Sequence, residues 1–408
     1  MNILINTTSY PKFKGDFSGV FIHRLAKSIV NMGHEVKVVV PHSENLPYEE
    51  IIEDVDIYRY KYLPSIFEAK YGNWYAHEQS KGNIERIYIQ SKNLIRMLAL
   101  SYRGYILNNR LSSSSDIIFS NWVIPNGLIG HFSSKKMKLP HLIKVYGGDI
   151  TIAGRIPILK KIVKKTLESS NRILSNSYYT ATKVKDICDS PVTPVYEGVN
   201  TEFFNPNIDP SNIREKYSGD PIIFSLGRLV QYKGFEYAIK SVPIIKKRFP
   251  NLKWIIGGTG PLSNSLNKLI KNLKLENSIH LIGFIPEKDL PSFYSACDLY
   301  VAPSIIDEKG NTEGLNVSVL EAASTGKPVI ATKVGGLIEA VKDGETGLLV
   351  QEKNSLKLAN TITTLISNKK LAISLGNKGR KRIMKYFDIN IIAENMINIF
   401  EETIRNIN

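Results

Sequence analysis

Short apolar runs alternate with longer amphipathic segments along most of the chain. In the first half, the apolar runs predict strands at residues 2–6, 36–41, 116–121, 141–146 and 172–175. The segment from Val20 to Met32 predicts a helix, and Gly33 follows it as the glycine that commonly ends one. Strands that alternate with helices in this way indicate a parallel α/β sheet.

The second half of the chain repeats this alternation. Its apolar runs predict strands at residues 222–227, 254–257, 279–282, 299–302, 329–332 and 347–350. Helical periodicity predicts helices at residues 236–247, 262–273, 317–324 and 355–367, and a last amphipathic helix from residue 388 to 407.

A chain of 408 residues is long enough for two domains. The polar stretch 205–210, with two prolines and two asparagines, reads as the linker. We therefore predict domains at 1–204 and 205–387, with the helix at 388–408 packing back on the first. Two facing doubly wound domains would bring the carboxyl ends of both sheets to one cleft, where open α/β sheets bind ligands.

Composition adds limits on the compartment. Hydrophobic residues make up 43% and charged residues 22% of the chain, as in ordinary globular proteins. The two cysteines, Cys188 and Cys297, cannot form a disulfide framework, which favours a reducing compartment. No leader-like or membrane-spanning run is visible, so we expect a cytoplasmic protein or one held on the inner face of a membrane.

The net charge of +15 suggests a polyanionic partner. Residues 156–165 combine lysine pairs with apolar residues, a basic amphipathic pattern that suits an anionic membrane surface. A solvated helix face explains the same pattern, and both interpretations stay open. Nucleic acid is disfavoured, because no zinc-binding, helix-turn-helix or aromatic-stacking signature accompanies the charge.

The segment from Glu313 to Glu321 carries the first candidate chemistry. Glu313 follows an apolar strand, Gly314 allows close approach of a ligand, and the backbone amides of Leu315 and Asn316 begin a helix, which makes an anion site. A diphosphate bound there would place its sugar near Glu313 and its ribose near Glu321, whose two oxygens suit a diol. Two glutamates eight residues apart would by themselves more commonly be surface acids.

A second candidate cluster follows the strand at 222–227. Arg228 and Lys233 flank a glycine-bounded loop, where two cations can neutralise a pyrophosphate and stabilise its developing charge. Surface cations beside a turn are the alternative interpretation.

These segments resemble family 4 of the glycosyltransferases, retaining enzymes with the GT-B fold, and the resemblance extends over most of the chain. The family's E-x7-E motif matches Glu313 to Glu321, and its Arg/Lys pair matches Arg228 and Lys233. Further matches are Gly326-Lys327-Pro328-Val329-Ile330-Ala331-Thr332 and Asp343-Gly344-Glu345-Thr346-Gly347. The resemblance also implies that Gly258 and Gly260 pass beside the nucleotide and that Ile285 lies against its base.

The first domain should supply the other wall of the site. Gly19 closes a turn before the first helix, where amides could meet phosphate or acceptor. Tyr146-Gly147-Gly148-Asp149 stands where the family often has His-Gly-x-Asp, which implies a catalytic role for Asp149 and a donor-sugar contact for Tyr146. Tyr146 replaces the usual histidine and can still donate one hydrogen bond.

No metal or cofactor is expected. Asp54-Val55-Asp56 has the Asp-x-Asp spelling that metal-dependent transferases of another fold use, but it lies in an alternating apolar run away from any glycine-rich loop. We interpret these residues as surface acids on a strand edge. The Arg228/Lys233 pair would make a metal unnecessary.

The sequence therefore predicts a transfer of a sugar from a nucleotide-sugar donor to an acceptor hydroxyl. The family's role in cell-surface polysaccharide and glycolipid assembly suggests a saccharide or lipid-linked saccharide acceptor. Two alternatives remain: a nucleotide-sugar epimerase of the same fold, and an inert, transferase-like partner subunit. A phosphorylase would need a pyridoxal-binding lysine region, and none is convincing.

Overall fold

A computed structural model describes residues 1–13, 16, 18–63 and 91–407. The described chain forms two compact units. The first consists of residues 1–198 together with 389–408, and the second of residues 199–388.

The first unit is built on an eight-stranded sheet. Its strands are β1 (Asn2–Asn6), β2 (Glu35–Pro41), β3 (Glu49–Ile52), β4 (Val55–Tyr60), β5 (Ile117–Asn121), β6 (His141–Val145), β7 (Arg172–Ser175) and β8 (Val192–Pro194). They lie in the order β3-β4-β2-β1-β5-β6-β7-β8. All neighbouring pairs are parallel except β3–β4, which is antiparallel, so the sheet is mixed rather than wholly parallel as predicted.

The second unit has a six-stranded sheet that is parallel throughout. Its strands are β9 (Ile222–Leu226), β10 (Lys253–Gly257), β11 (Ile279–Gly283), β12 (Leu299–Ala302), β13 (Val329–Thr332) and β14 (Leu348–Val350). The order β11-β10-β9-β12-β13-β14 reverses direction between β9 and β12. In the first sheet the corresponding reversal lies between β1 and β5.

Helices connect the strands and cover the sheets. In the first unit they are Val20–Asn31, Ser91–Ser112, Leu128–Met137, Gly148–Arg155, Pro157–Glu168, Tyr178–Lys185 and Ile389–Arg405, with a short wide turn at Val123–Gly127. In the second unit they are Ser211–Tyr217, Phe235–Lys246, Ser263–Asn272, Leu290–Ala296, Val317–Ser324, Leu337–Ala340, Ser355–Ser367 and Lys369–Tyr386, with single turns at Gln231–Lys233 and Glu287–Asp289.

Each unit has its own apolar core. The strands are rich in Ile and Val, which suits sheets covered on both faces. In the second unit, the core packs Trp254 of β10 against helical residues such as Ile239 and Ile362. In the first unit, the helix Ile389–Arg405 contributes Met396 and Phe400 to the core, although it follows the second unit in the chain.

The boundary between the units lies before the stretch predicted as a linker. The chain passes from one unit to the other at Gly198–Val199, whereas the prediction placed the boundary at residue 205. The polar stretch is attached to the second unit: Ser324 Oγ donates to the Phe204 carbonyl (2.6 Å) and Ser295 Oγ to that of Ile208 (2.5 Å). Proline and asparagine mark a turn equally well in a linker and in an ordered surface loop.

Candidate active site

The point where the second sheet reverses its strand order brings two predicted loops together. One follows β9 and carries Arg228 and Lys233, and the other follows β12 and carries Glu313. Because these strands are neighbours and parallel, their carboxyl ends lie at the same edge of the sheet. Open α/β sheets bind their ligands at this position.

Glu313 is buried, with 5% of its surface exposed. Three donors converge on its Oε1 atom: Lys233 Nζ at 2.7 Å, Ser304 Oγ at 2.7 Å and Asn316 Nδ2 at 3.2 Å. Among the described residues, none donates a hydrogen bond to Oε2. One oxygen of the carboxylate is therefore fixed by the protein, and the other can accept from a ligand.

The ion pair between Lys233 and Glu313 joins two residues that were predicted to have different partners. Lys233 was expected to hold a phosphate, and Glu313 a sugar. Both side chains are largely buried, so each supplies the charge that the other needs in a medium of low dielectric. Removing one partner would leave the other buried and unpaired.

Arg228 and Lys233 are further linked by Tyr232. Arg228 Nη2 donates to the Tyr232 hydroxyl (2.7 Å), and its guanidinium lies 6.0 Å from the centre of that ring. Lys233 Nζ lies 5.9 Å from the same centre. Both cations therefore lie within cation–π range of the same electron-rich ring.

The start of the helix Val317–Ser324 is held by a buried polar network. Tyr300 of β12 donates to Ser318 Oγ (2.6 Å), and Ser318 donates in turn to Asn316 Oδ1 (2.6 Å). Leu315 is buried, and Gly336 packs so closely on Gly314 that a Cβ on Gly336 would overlap the Gly314 carbonyl oxygen. These contacts fix the helix start that was predicted to bind a diphosphate.

Glu321 lies on the buried face of that helix. Its surface is 5% exposed, and its Oε2 accepts a hydrogen bond from Tyr294 (2.8 Å). It is therefore not one of the exposed acids that the alternative interpretation required. Its predicted role in holding the ribose remains a prediction.

Gly258 and Gly260 pack on the loop after β9, and Ile285 packs at the end of β10. A Cβ on Gly258, which has φ +124°, would overlap the Gly227 carbonyl oxygen, and one on Gly260 would lie 2.5 Å from that of Leu229. Ile285 is buried and packs on Gly257. The glycines here permit close contact between two loops, and their predicted proximity to a nucleotide stays a prediction.

In the first unit, Gly19 precedes the helix Val20–Asn31 with φ +65°. A Cβ there would overlap the Ser9 carbonyl oxygen, so the turn requires glycine. Gly15 and Phe17, two other residues of this predicted loop, lie outside the described residues.

The Asp149 carboxylate accepts hydrogen bonds from three backbone amides. Its Oδ2 accepts from the Val123 amide (3.1 Å), and its Oδ1 accepts from the amides of Ile150 (3.1 Å) and Tyr146 (3.4 Å). Burial raises the pKa of Asp149, and these amide donors oppose that shift. These contacts link the loops after β5 and β6, and the catalytic role that the resemblance implies for Asp149 stays a prediction.

Tyr146 donates its hydroxyl to Asn121 Oδ1 (2.6 Å). Burial raises the pKa of Tyr146, which keeps the phenol protonated as a donor. The single hydrogen bond that this side chain was predicted to give is thus made within the protein.

Several residues of these two regions were missed by sequence reasoning. Tyr232 and Ser304 lacked any motif signal, because their importance depends on loops that meet only in the fold. Lys144 and Glu197 form a buried ion pair in the first unit (3.2 Å), and Lys144 Nζ lies 5.7 Å from the centre of the Tyr146 ring. A lysine inside the apolar run 141–146 was the one available signal.

Among the described residues, no group of three or more His, Cys, Asp or Glu side chains could hold a metal ion. Asp54 lies in the turn between β3 and β4, and Asp56 lies on β4, one strand inside the edge of the sheet. Within the same part of the chain, no helix has both the length and the apolar character to cross a bilayer.

Comparisons with known proteins agree with this architecture. The family model described as glycosyltransferase family 4 matches residues 18–203, and that of glycosyl transferases group 1 matches residues 209–382. An uncharacterized glycosyltransferase of Methanocaldococcus jannaschii is 25% identical, over 98% of each chain. A GDP-mannose-dependent alpha-(1-6)-phosphatidylinositol monomannoside mannosyltransferase of Mycolicibacterium smegmatis is 32% identical, over 45% of this chain and 49% of its own length.

Among solved structures, a sucrose-phosphate synthase from Thermosynechococcus elongatus superposes with a TM-score of 0.77, covering 98% of both chains at 19% identity. The two α/β units and the matched models define a glycosyltransferase with the GT-B fold. The chain belongs to family 4 of the glycosyltransferases.

Proposed function

We propose that this glycosyltransferase moves a hexosyl group from a nucleoside diphosphate sugar to an acceptor hydroxyl, at a site centred on Glu313. The observation that carries the proposal is the asymmetry of the Glu313 carboxylate. Lys233, Ser304 and Asn316 occupy Oε1, whereas Oε2 has no donor among the described residues. Oε2 can therefore accept from a sugar hydroxyl while the protein fixes the carboxylate.

In this reaction, the bond between the anomeric carbon and the diphosphate oxygen breaks, and a bond to the acceptor oxygen forms. The acceptor's proton leaves with the nucleoside diphosphate or passes to solvent. Positive charge develops on the sugar ring and negative charge on the diphosphate, so Glu313 stabilises the first and Arg228 with Lys233 the second. Retention at the anomeric carbon is proposed from membership of family 4.

The donor charge can be neutralised without a metal. Arg228 and Lys233 lie on one loop, and the helix that begins at Val317 presents its positive end at the same edge of the sheet. Arg228, the helix start and Lys233, whose charge is shared with Glu313, can together offset the charge of a diphosphate, so we propose a metal-independent enzyme.

For the acceptor, we propose a saccharide or a lipid-linked saccharide, in cell-surface polysaccharide or glycolipid assembly. The mycobacterial relative is named for a phosphatidylinositol mannoside. In this chain, the helix Pro157–Glu168 exposes lysines beside Ile158, which is 68% exposed, and Ile162. This combination supports reversible binding to an anionic membrane, on its cytoplasmic side.

Replacement of Glu313 by glutamine tests the site. A thermal-shift panel of UDP-, GDP- and ADP-sugars first identifies the donor, since a bound donor stabilises the fold by mass action. With that donor, Glu313→Gln should lower turnover at least about 100-fold, because the amide keeps the shape but not the charge. The matched control is Glu345→Gln, an exposed glutamate of the same unit. Turnover of Glu313→Gln equal to that of the control would contradict the proposal.

The same assay separates the two alternatives. A transferase releases nucleoside diphosphate faster when an acceptor is added. An epimerase converts the donor without needing an acceptor, and its sugar product shows inversion at one carbon by NMR. An inert partner subunit would bind the donor without any turnover, and Arg228→Ala would then change affinity alone.

A further inference from the structure

Three aromatic rings gather where the first sheet reverses its strand order. Phe21 lies in the first turn of the helix after β1, Trp122 directly follows β5, and Tyr146 directly follows β6. The ring centres of Trp122 and Tyr146 are 4.9 Å apart, those of Phe21 and Tyr146 5.3 Å, and those of Phe21 and Trp122 6.3 Å. All three side chains remain partly exposed, and Phe21 and Trp122 also pack against the apolar core of the first unit, so this aromatic cluster lies where the core meets the surface.

The backbone of Trp122 is strained. Its φ of +67° and ψ of 144° lie beside a region of conformational space that is essentially restricted to glycine. Such a conformation is energetically unfavourable and persists only where neighbouring contacts enforce it. Because the fold maintains this conformation for a large side chain at the carboxyl edge of a sheet, the position of the Trp122 side chain is needed for function.

The contacts that enforce it are present on both sides of Trp122. Its amide donates to the Lys144 carbonyl (2.9 Å), and its carbonyl accepts from the Gly127 amide (3.0 Å). The next amide, that of Val123, donates to Asp149 Oδ2 (3.1 Å). Because Asp149 also binds the Tyr146 amide, one carboxylate ties together the two loops that carry the rings.

Polar groups accompany the rings. The Tyr146 hydroxyl donates to Asn121 Oδ1, and Asn121 Nδ2 is a buried donor that has no partner among the described residues. Aromatic faces that are partly exposed beside hydrogen-bonding groups suit a ligand with one apolar face and a polar rim. A pyranose ring has this character, since its axial C–H groups form an apolar face and its hydroxyls form the rim.

We infer that Phe21, Trp122 and Tyr146 form a stacking platform for a pyranose ring of the acceptor, which makes the acceptor a saccharide. Asp149 is a positioning residue that holds Trp122 in its strained conformation. This inference rests on the proposed transfer to an acceptor hydroxyl, and it specifies the chemical class of that acceptor.

Binding of simple sugars tests the platform. Methyl glycosides of glucose, mannose, galactose and N-acetylglucosamine are titrated at millimolar concentrations and followed by saturation-transfer NMR. At least one should bind the native protein, Trp122→Phe should keep that binding within about threefold, and Trp122→Leu should weaken it at least about tenfold. The control is Tyr102→Leu, an exposed aromatic residue of the same unit.

Other outcomes overturn the inference. The inference is wrong if no glycoside binds the native protein, or if Tyr102→Leu weakens glycoside binding as much as Trp122→Leu does. It is also wrong if the cluster binds vesicles of neutral lipid in place of a glycoside. Thermal shifts with UDP and GDP, measured on the same variants, keep the proposed function separate. If the nucleotide still stabilises Trp122→Leu and glycoside binding is unchanged, the platform fails while the donor site stands.

The role of Asp149 has a separate readout. Asp149→Asn should lower the melting temperature, because the amide nitrogen that replaces one carboxylate oxygen cannot accept from the backbone N–H groups that this oxygen binds. In a Trp122→Gly background the conformation is no longer strained, so the same substitution should lower the melting temperature by less. Equal losses in both backgrounds would show that Asp149 does not act through Trp122.

Discussion

At the scale of single residues, the environment of a side chain decides its role more than its type. Asp149 and Glu313 are both acids that follow strands in motif-like segments. Both carboxylate oxygens of Asp149 accept hydrogen bonds from backbone amides, whereas Oε2 of Glu313 has no donor among the described residues. A sequence shows the two carboxylates alike, because the amides that occupy Asp149 come partly from a loop 26 residues away.

His141 makes the free energy of unfolding of the first unit decrease at acidic pH. Burial, with a smaller contribution from the nearby His131, lowers the pKa of His141 to about 3, whereas an unfolded histidine titrates near 6.5. The unfolded state therefore binds a proton more readily than the folded state between these values. Stability that is complete above pH 6.5 is lost as pH falls towards 3.

We predict that His141→Gln removes this pH dependence. Relative to the variant, the native protein should lose up to about 1.4 kcal/mol of unfolding free energy for each pH unit below 6.5. Urea denaturation at pH 7, 6 and 5 measures the difference, and glutamine can keep the hydrogen bond to Ser120. Parallel stability curves for the two proteins would show that His141 is not the group responsible.

At the scale of elements, loops of the second unit depend on glycines that let two backbones touch. Gly234 directly follows Lys233 with φ +66°, and a Cβ there would overlap the Pro303 carbonyl oxygen. Pro303 precedes Ser304, which donates to Glu313. The spacing between these loops therefore sets the distance between Lys233 and Glu313.

Gly234→Ala should force the loops apart and abolish turnover, while Gly344→Ala should not. Gly344 has nearly the same φ, +74°, but open space around it, so alanine there costs only the backbone strain of about 1–2 kcal/mol. Turnover and melting temperature of the two variants measure the difference. If both lose the same activity, backbone strain alone accounts for the requirement at Gly234.

The sequence predicted the strands of the second sheet well, including its edge strands β11 and β14, and missed both edge strands of the first sheet. β12 and β13 have the predicted bounds, because fully buried strands are continuous apolar runs. β3 and β8 were not predicted, since edge strands are short and carry polar residues such as Glu49. In the site, motif resemblance selected Arg228, Lys233 and Glu313, but the pairing of Lys233 with Glu313 needs loops 80 residues apart to meet.

At the scale of the whole molecule, the net charge of +15 can act in two ways. A general positive field attracts anionic surfaces from any direction, whereas a basic helix with exposed apolar residues binds by one face. Vesicle binding by one helix therefore requires the lysines of that helix, whereas binding by the general field depends only on the total charge of the protein.

Two variants of equal charge distinguish these cases. The first replaces Lys160, Lys161, Lys164 and Lys165 with glutamine, and the second replaces Lys246, Lys247, Lys268 and Lys271 of the second unit. Each carries a net charge of +11, four less than +15. We predict that only the first loses flotation with phosphatidylglycerol vesicles at low salt, since it alone alters the helix Pro157–Glu168. Equal loss in both would assign the binding to total charge.

The return of the last helix to the first unit has a consequence for the order in which the protein is made. On the ribosome, residues 1–198 emerge before the rest of the described chain, but their core lacks Met396 and Phe400 until residues 389–405 have also emerged. Residues 199–388 contain their whole unit and can fold as soon as they emerge. The unit that is begun first is thus finished last, and a premature stop after residue 388 would leave a complete second unit attached to a first unit with an open core.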